Sequence, residues 1–150
     1  MQTIRGFRDI LPEHISLWQT VEREAFTLFE SFGFKEIRIP VLEKTDLFAR
    51  SIGETTDIVE KEMYTFPDRK GEHLTLRPEA TASICRSYIQ HKMYAADPVK
   101  KFYMTGPMFR RERPQKGRYR QFYQIDAEVF GVESAYIDAE LIFLLNELFK

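Results

Sequence analysis

Apolar residues recur every three or four positions in the stretch that follows Pro12. The positions that share this spacing are Ile15, Trp18, Val21, Ala25, Leu28, Phe29 and Phe32. Such spacing puts the apolar side chains on one side of an amphipathic helix. Proline is tolerated in the first turn of a helix, and glycine suits the position just after its end. We therefore predict a helix that begins at Pro12 and ends before Gly33.

Short segments with strand character follow this helix. Residues 34–40 (FKEIRIP) alternate in part between apolar and polar, which predicts a short strand that Pro40 ends. The chain is then expected to be extended, and afterwards helical, as far as about Phe48. Residues 62–66 and 73–77 flank the turn-rich sequence PDRKG, and this arrangement predicts a β-hairpin.

The second half of the chain predicts two helices and two long strands. Pro78 opens a helix over residues 79–91, and a final helix covers residues 137–150. The inner side of the earlier helix is expected to carry Ala82, Cys85, Tyr88 and Ile89. Long strands are predicted over residues 99–110 and 119–130. Because helices do not separate most neighbouring strands, this order predicts an α+β fold, with an antiparallel sheet flanked by helices.

The composition is ordinary for a soluble globular protein. A length of 150 residues suits one domain, and 43 % apolar with 30 % charged residues excludes a disordered tail. The net charge of −1 excludes a surface that is basic throughout, so any anion site is local. The single Cys85 excludes a disulfide framework and a Cys-rich zinc site. Neither a signal peptide nor a run of roughly 20 apolar residues occurs, so we expect a cytoplasmic location without membrane contact.

A strongly basic loop lies between the two long strands. Residues 110–120 (RRERPQKGRYR) contain five arginines, one lysine and one glutamate, a local net charge of +5. Guanidinium groups bind phosphates through planar, forked donors. An isolated basic run is most often a hairpin tip in solvent. Here Glu112 stands among the arginines and a polar strand follows, and both features favour a site for an anionic ligand.

The strand after this loop has two different faces. Alternation puts Tyr123, Ile125, Ala127 and Val129 on one face, which we predict to be core. The opposite face carries Phe122, Gln124, Asp126, Glu128 and Phe130. Taken alone, a polar face of this kind is typical of the water-facing side of an antiparallel sheet. Beside the basic loop, it becomes a possible floor for a cationic or zwitterionic ligand.

The sequence LRPEAT, residues 76–81, joins the end of a predicted strand to the start of a helix. Glu79 and Thr81 fall in the first helical turn, where the helix dipole favours an acidic residue by about 0.3–1 kcal/mol. That effect explains Glu79 and leaves Arg77 unexplained.

Three long motifs together resemble the histidyl-tRNA synthetases, which are class II aminoacyl-tRNA synthetases. They are RGFRDILP at residues 5–12, TDIVEKEMYTFPDRKGEHLTLRPEATA at 56–82 and GPMFRRERPQKGRYRQFYQIDAEVFG at 106–131. The resemblance implies that residues 1–150 are the N-terminal part of the catalytic domain. Motif 3 and the anticodon-binding domain would follow residue 150. The segment leading to Pro40 would be motif 1, which forms the interface of a homodimer.

The resemblance also implies a role for each matching residue. Arg110 would hold the ATP α-phosphate as the catalytic residue, and Arg118 would reach the ATP phosphates. Glu112 would face the adenine, and Phe122 would stack on it. Four residues would surround L-histidine, namely Glu79, Thr81, Gln124 and Glu128. ATP with Mg²⁺ and tRNA(His) are the other implied partners, and Ala80 stands where the family pattern has glycine.

Two other functions remain open at this point. The regulatory subunit of ATP phosphoribosyltransferase resembles the same fold and binds histidine without tRNA chemistry, although a sensor needs no ATP-binding arginines. A stand-alone RNA-binding module is the third possibility, and the net charge of −1 gives it little support. We also expect an isolated 150-residue piece to catalyse poorly and to self-associate.

Overall fold

The computed structural model of the protein describes residues 1–52, 62–113 and 115–150. The start of the motif at Thr56, and Pro114 in the basic loop, therefore lie outside the described residues. The helices of the described part are α1 Pro12–Ser31, α2 Thr45–Ile52, α3 Thr81–Gln90 and α4 Ala135–Leu148. Its strands are β1 Lys35–Glu36, β2 Leu42–Lys44, β3 Tyr64–Pro67, β4 His73–Leu76, β5 Lys100–Phe109 and β6 Gln121–Phe130. The predicted α+β class is confirmed.

Helix α1 ends where the sequence predicts. Gly33 has φ +80° and donates its N–H to the carbonyl of Glu30 at 3.0 Å. The N–H of Phe34 reaches back to the carbonyl of Phe29 at 3.0 Å, and the two rings lie 5.8 Å apart. These paired bonds with an apolar contact define a Schellman C-cap, which requires a left-handed residue and so favours glycine at position 33.

The strands form two sheets rather than one. Among the described strands, one sheet has the order β1-β5-β6 and the other has the order β2-β4-β3. The hairpin of β3 and β4 is antiparallel as predicted, whereas β1 runs parallel to β5, with Lys35 opposite Phe102. The expectation of a purely antiparallel sheet was therefore wrong at β1. A strand of two residues has too little pattern of its own to indicate the direction of its partner.

The chain divides into two compact units. The first unit contains residues 1–9, 39–87 and 106–124, and the second contains residues 10–38, 88–105 and 125–150. In the second unit, the buried residues Ala25, Phe29, Phe34, Tyr103 and Leu144 form the core. Ile125, Ala127 and Val129 pack against this core, which confirms three of the four positions predicted for the apolar face of β6. The fourth prediction was wrong, because Tyr123 lies near the start of the strand and is 40 % exposed.

The buried side of helix α3 agrees only in part with the one predicted. Its buried residues are Ala82, Ser83, Ile84 and Ser87. Cys85 and Tyr88 are half-buried, and the Tyr88 ring stacks on that of Phe130 at 4.7 Å. Ile89 is 58 % exposed, so the prediction was wrong at that position. The spacing of apolar residues misleads here because two of the buried positions are serines, whose small side chains fit a close contact.

The buried Tyr103 supplies a test of the second unit. Its side chain is 1 % exposed and its hydroxyl donates to Glu30 Oε1 at 2.8 Å. Burial, reinforced by that carboxylate, raises the pKa of Tyr103 from 10.0 to about 12. The neutral phenol therefore contributes stability that is complete below pH 10 and is lost as the pH rises through 12.

We expect Tyr103→Phe to lower the free energy of unfolding at pH 7 by about 0.5–1.5 kcal/mol, the usual value of one hydrogen bond. Without the phenol, stability is also expected to fall less steeply between pH 10 and pH 12. Urea unfolding at a series of pH values, compared with the unsubstituted protein, measures both effects. Identical slopes above pH 10 would contradict the assignment of this titration to Tyr103.

Candidate functional site

Arg77 holds three segments of the first unit together. Its side chain is buried, with Nη1 donating to the carbonyl of Ile39 at 2.9 Å and Nε donating to that of Pro107 at 3.0 Å. Its backbone N–H donates to Val41 at 3.0 Å, and its carbonyl accepts from Phe109 at 3.0 Å. Arg77 thus fastens the end of β4 between the segment before β2 and the end of β5, which explains why a charged residue is buried there.

Glu79 caps helix α3. Its carboxylate accepts the N–H of Ala82 at 3.1 Å through Oε1 and at 3.3 Å through Oε2. A side-chain oxygen at this position satisfies one of the first amide groups of the helix, which have no partner within it. Thr81, the first residue of α3, is exposed. The contact of Glu79 and Thr81 with histidine stays a prediction.

Ala80 fits its position without strain. It is 1 % exposed, and its carbonyl accepts the N–H of Ile84 at 3.0 Å. Among the non-glycine residues that the structure describes, only Lys92 has a positive φ. Position 80 therefore does not need the conformational freedom of glycine, and the departure from the family pattern costs the backbone nothing.

Arg110 is fixed at one end and open at the other. Its Nε donates to the carbonyl of Pro78 at 2.9 Å, and its guanidinium carbon lies 5.1 Å from the centre of the Phe122 ring. Within the described residues, its two terminal Nη groups have no hydrogen-bond partner. The guanidinium is therefore oriented by a carbonyl and an aromatic ring while its outer donors remain available to an anion.

Glu112 and Arg118 face each other across the basic loop. Arg118 Nη1 lies 3.3 Å from Glu112 Oε2, and the two side chains are 65 % and 19 % exposed, respectively. Gln115 and Arg118 exchange two backbone hydrogen bonds, and Gly117 has φ +83°, so the tip is a tight turn. An ion pair this exposed contributes at most about 1 kcal/mol, so a bound phosphate can compete for Arg118.

Residues 5–8, which sequence reasoning left without a role, contact the base of this loop. The carbonyl of Gly6 accepts the N–H of Arg120 at 2.8 Å and that of Gln121 at 3.3 Å. The RGFRDILP motif marked these residues as a family feature. The sequence pattern does not show which part of the chain the motif contacts.

Gln124 presents a buried acceptor on β6. Its Oε1 is buried and has no hydrogen-bond partner among the described residues. Buried polar atoms are normally satisfied, so an acceptor without a partner indicates a place where a ligand can donate. Glu128 lies four residues further along β6, half-buried, in the part of the strand that belongs to the second unit. The first unit contains the other seven predicted site residues.

Two further features of the described residues bear on possible ligands. Across residues 1–52, 62–113 and 115–150, no three His, Cys, Asp or Glu side chains are grouped so that they could bind a metal ion. Over the same residues, no helix has the length and apolar character needed to span a bilayer.

Comparison with known proteins identifies relatives over the whole chain. The sequence model of a family described as histidyl-tRNA synthetase matches residues 6–150. The histidine–tRNA ligase of Desulforapulum autotrophicum is 78 % identical over 150 residues, which cover 100 % of this chain and 35 % of the relative. The chain thus spans about a third of the length of the curated relatives it matches.

Solved structures give the same result for the fold. The apo histidyl-tRNA synthetase of S. aureus superposes with a TM-score of 0.82 at 40 % identity, covering 99 % of this chain and 34 % of that one. A Bacillus halodurans protein described as an ATP phosphoribosyltransferase regulatory subunit/histidyl-tRNA synthetase gives a TM-score of 0.82 at 24 % identity. The alignment covers 98 % of this chain and 37 % of the Bacillus halodurans chain. At 24 % identity, this similarity supports the fold alone.

Proposed function

The chain belongs to the histidyl-tRNA synthetase family, and from this premise we propose that it supplies the ATP-binding and part of the histidine-binding machinery of a histidine–tRNA ligase. Residues 1–150 would be the N-terminal part of a class II catalytic domain. Motif 3 and the anticodon-binding domain would belong to the full-length protein, meaning the chain at the length of its relatives. The protein would act in the cytoplasm.

The proposed reaction has two steps. In the first step, a carboxylate oxygen of histidine attacks the α-phosphorus of ATP, the bond to the bridging oxygen breaks, and pyrophosphate leaves. In the second step, a hydroxyl of the 3′-terminal ribose of tRNA(His) attacks the carbonyl of histidyl-adenylate, and AMP leaves. Neither step needs a covalent intermediate on the protein. The protein must align the substrates and stabilise the charge that develops on the phosphoryl oxygens.

The open guanidinium of Arg110 carries this proposal. The carbonyl of Pro78 and the ring of Phe122 hold it in one orientation, and its Nη donors are available to the α-phosphate. Donors that are oriented before the reaction need no reorganisation as charge develops, which is why they accelerate it. A mobile surface arginine would have to lose that freedom during the reaction.

Glu112, Arg118 and Phe122 complete the ATP side of the proposal. Arg118 is mostly exposed and can move from its pair with Glu112 to the phosphates, leaving the half-buried carboxylate for the adenine. Phe122 offers an aromatic ring for the base on the strand that follows the loop. The charges on this loop are complementary to those of ATP. The arginines would bind the negatively charged phosphates, and the Glu112 carboxylate would accept a hydrogen bond from the exocyclic amino group of adenine.

We propose Gln124 as a histidine ligand because its buried Oε1 lacks a partner among the described residues. Glu79, Thr81 and Glu128 are proposed on the family resemblance. The carboxylate of Glu79 accepts one amide and still has lone pairs for an ammonium group.

Mg²⁺ is expected to arrive with ATP. It is usually held by substrate phosphates, waters and one or two carboxylates rather than by a protein cage. Because Glu112 is proposed to face the adenine, the phosphates of ATP and water molecules would hold the ion. When bound, the ion would neutralise charge on the phosphate oxygens.

Histidine-dependent exchange of pyrophosphate into ATP tests the proposal in the full-length protein. Exchange that requires both histidine and ATP supports a ligase. Histidine binding without exchange would support the regulatory-subunit function, which the relatives do not favour because they are named histidine–tRNA ligase. RNA binding with no effect of ATP would support the RNA-binding module. A homodimer is also proposed, and Val41 and Leu42, which directly follow the motif 1 segment, are partly exposed apolar residues suited to an interface.

Glu128→Ala tests whether Glu128 contributes to binding histidine and not to binding ATP. We expect the KM for histidine to rise roughly 10- to 150-fold, the equivalent of the 1.5–3 kcal/mol of a charge-assisted hydrogen bond, while the KM for ATP changes little. Glu133→Ala is the matched control, because Glu133 is an exposed acid just after the same strand. Similar increases in both KM values would remove Glu128 from the histidine site.

A further inference from the structure

Residues 5–8, here called the opening segment, contact both sides of the basic loop. Gly6 accepts the backbone N–H groups of Arg120 and Gln121, where the chain leaves the loop and enters β6. The N–H of Arg110, where the loop begins, donates to the carbonyl of Arg120 at 2.9 Å. The opening segment therefore adds an outer layer of hydrogen bonds at the base of the loop.

The side chain of Arg120 links the opening segment to Glu112. Its Nε donates to the carbonyl of Glu112 at 3.2 Å, and its Nη1 donates to the carbonyl of Arg5 at 3.4 Å. The stem of Arg120 passes directly over Gly6, where an added Cβ would lie 2.8 Å from Cγ. Gly6 also has φ +89°, so both its backbone conformation and this close contact require glycine.

Phe7 and Arg8 extend the contact on either side. The ring of Phe7 lies 6.2 Å from that of Tyr64 and 6.4 Å from that of Phe109, the last residue of β5. The guanidinium carbon of Arg8 lies 4.4 Å from the centre of the Tyr119 ring, and its Nη1 donates to the Tyr119 hydroxyl at 3.2 Å. Tyr119 lies between Arg118 and Arg120, so this contact restrains the return arm of the loop.

We propose that the opening segment is a positioning element for ATP, which restrains the part of the loop backbone that carries Glu112 and Arg118. This rests on the function proposed above for those two residues. Glu112 is restrained through its backbone by Arg120, and Arg118 is restrained through its neighbour Tyr119. Both restraints come from one stretch of four residues. Loss of the segment is expected to impair the use of ATP and to leave histidine binding unaffected.

Gly6→Ala tests the proposal with Gly71→Ala as its matched control. Gly71 has nearly the same backbone conformation, φ +86°, but an added Cβ there meets nothing within 4 Å. Hydrogen exchange is measured first, on the peptide that spans residues 110–121 of the full-length protein. We expect faster exchange in Gly6→Ala and no change in Gly71→Ala. Equal exchange in the two variants would overturn the positioning role whatever the protein catalyses.

Pyrophosphate-exchange kinetics then test the effect on ATP. We expect kcat/KM for ATP to fall by about 10- to 100-fold in Gly6→Ala, since a displacement near 1 Å can cost that much, with the KM for histidine within twofold. Arg8→Leu is expected to give a smaller effect in the same direction, and Arg8→Lys to restore most of it by keeping the cation on the Tyr119 ring. Equal loss for ATP and histidine would overturn the proposal. Absence of exchange in the unsubstituted protein would instead refute the ligase function, and the hydrogen-exchange result would still decide the positioning role.

Discussion

Replacement of Arg110 by alanine is expected to reduce histidine-dependent pyrophosphate exchange by about 10²–10³-fold in the full-length protein. That is the usual effect of removing one oriented donor from a developing oxyanion. The orientation is visible in the structure, where Pro78 accepts from Nε and Phe122 lies against the guanidinium. Histidine affinity is expected to change much less, because the proposed contact of Arg110 is with phosphate.

Two further variants make the test of Arg110 specific. Lys116→Ala removes one positive charge from the exposed tip of the same loop, and we expect it to keep most of the exchange activity. Arg110→Lys keeps the charge but loses the planar fork, so it is expected to resemble the alanine variant more than the parent. Equal losses in histidine binding and in exchange would mean that Arg110 supports the structure, and the phosphate role would then be wrong.

Replacement of Arg77 by methionine is expected to lower the free energy of unfolding by about 3–5 kcal/mol. The substitution removes a buried cation and leaves the carbonyls of Ile39 and Pro107 without their donor. A buried acceptor that loses its partner costs about 1–3 kcal/mol, and several such losses approach the total stability of a small domain. Urea or thermal unfolding of the purified protein measures the change.

Arg69→Met is the matched control for Arg77. Arg69 is exposed in the turn between β3 and β4, and its replacement is expected to change stability by less than about 0.5 kcal/mol. A fall of the same small size in Arg77→Met would show that the carbonyls of Ile39 and Pro107 find other donors. Experiment thus distinguishes the two arginines. Replacement of Arg77 is expected to lower the free energy of unfolding, and replacement of Arg110 is expected to lower the rate of pyrophosphate exchange.

The pattern of the sequence was sufficient for the elements whose boundaries depend on local chemistry. Helix α1 begins at Pro12 and ends at a C-cap that Gly33 makes possible, because proline and glycine restrict or permit particular backbone angles. The core positions Ile125, Ala127 and Val129 of β6 follow from strict alternation, since successive side chains of a strand point to opposite faces. The residues of the basic loop and their charges could be read directly as well.

Other features depend on contacts between residues that are far apart in the chain. The local pattern of the sequence does not predict those contacts. Arg77 appeared unexplained until Ile39 and Pro107 were found to accept its donors, 38 and 30 residues away. Glu79 proved to cap α3, Ser83 and Ser87 proved to be buried, and β1 proved to run parallel to β5.

The opening segment shows the same division most clearly. Its sequence identifies a family motif, but only the tertiary structure puts Gly6 against Arg120, more than a hundred residues away in the chain. The amino-acid sequence by itself determined which chemical groups are available and which local elements they form. The tertiary structure decided which of those groups are oriented, capped or left open, because hydrogen bonds and burial depend on neighbours in space and not on neighbours in the chain.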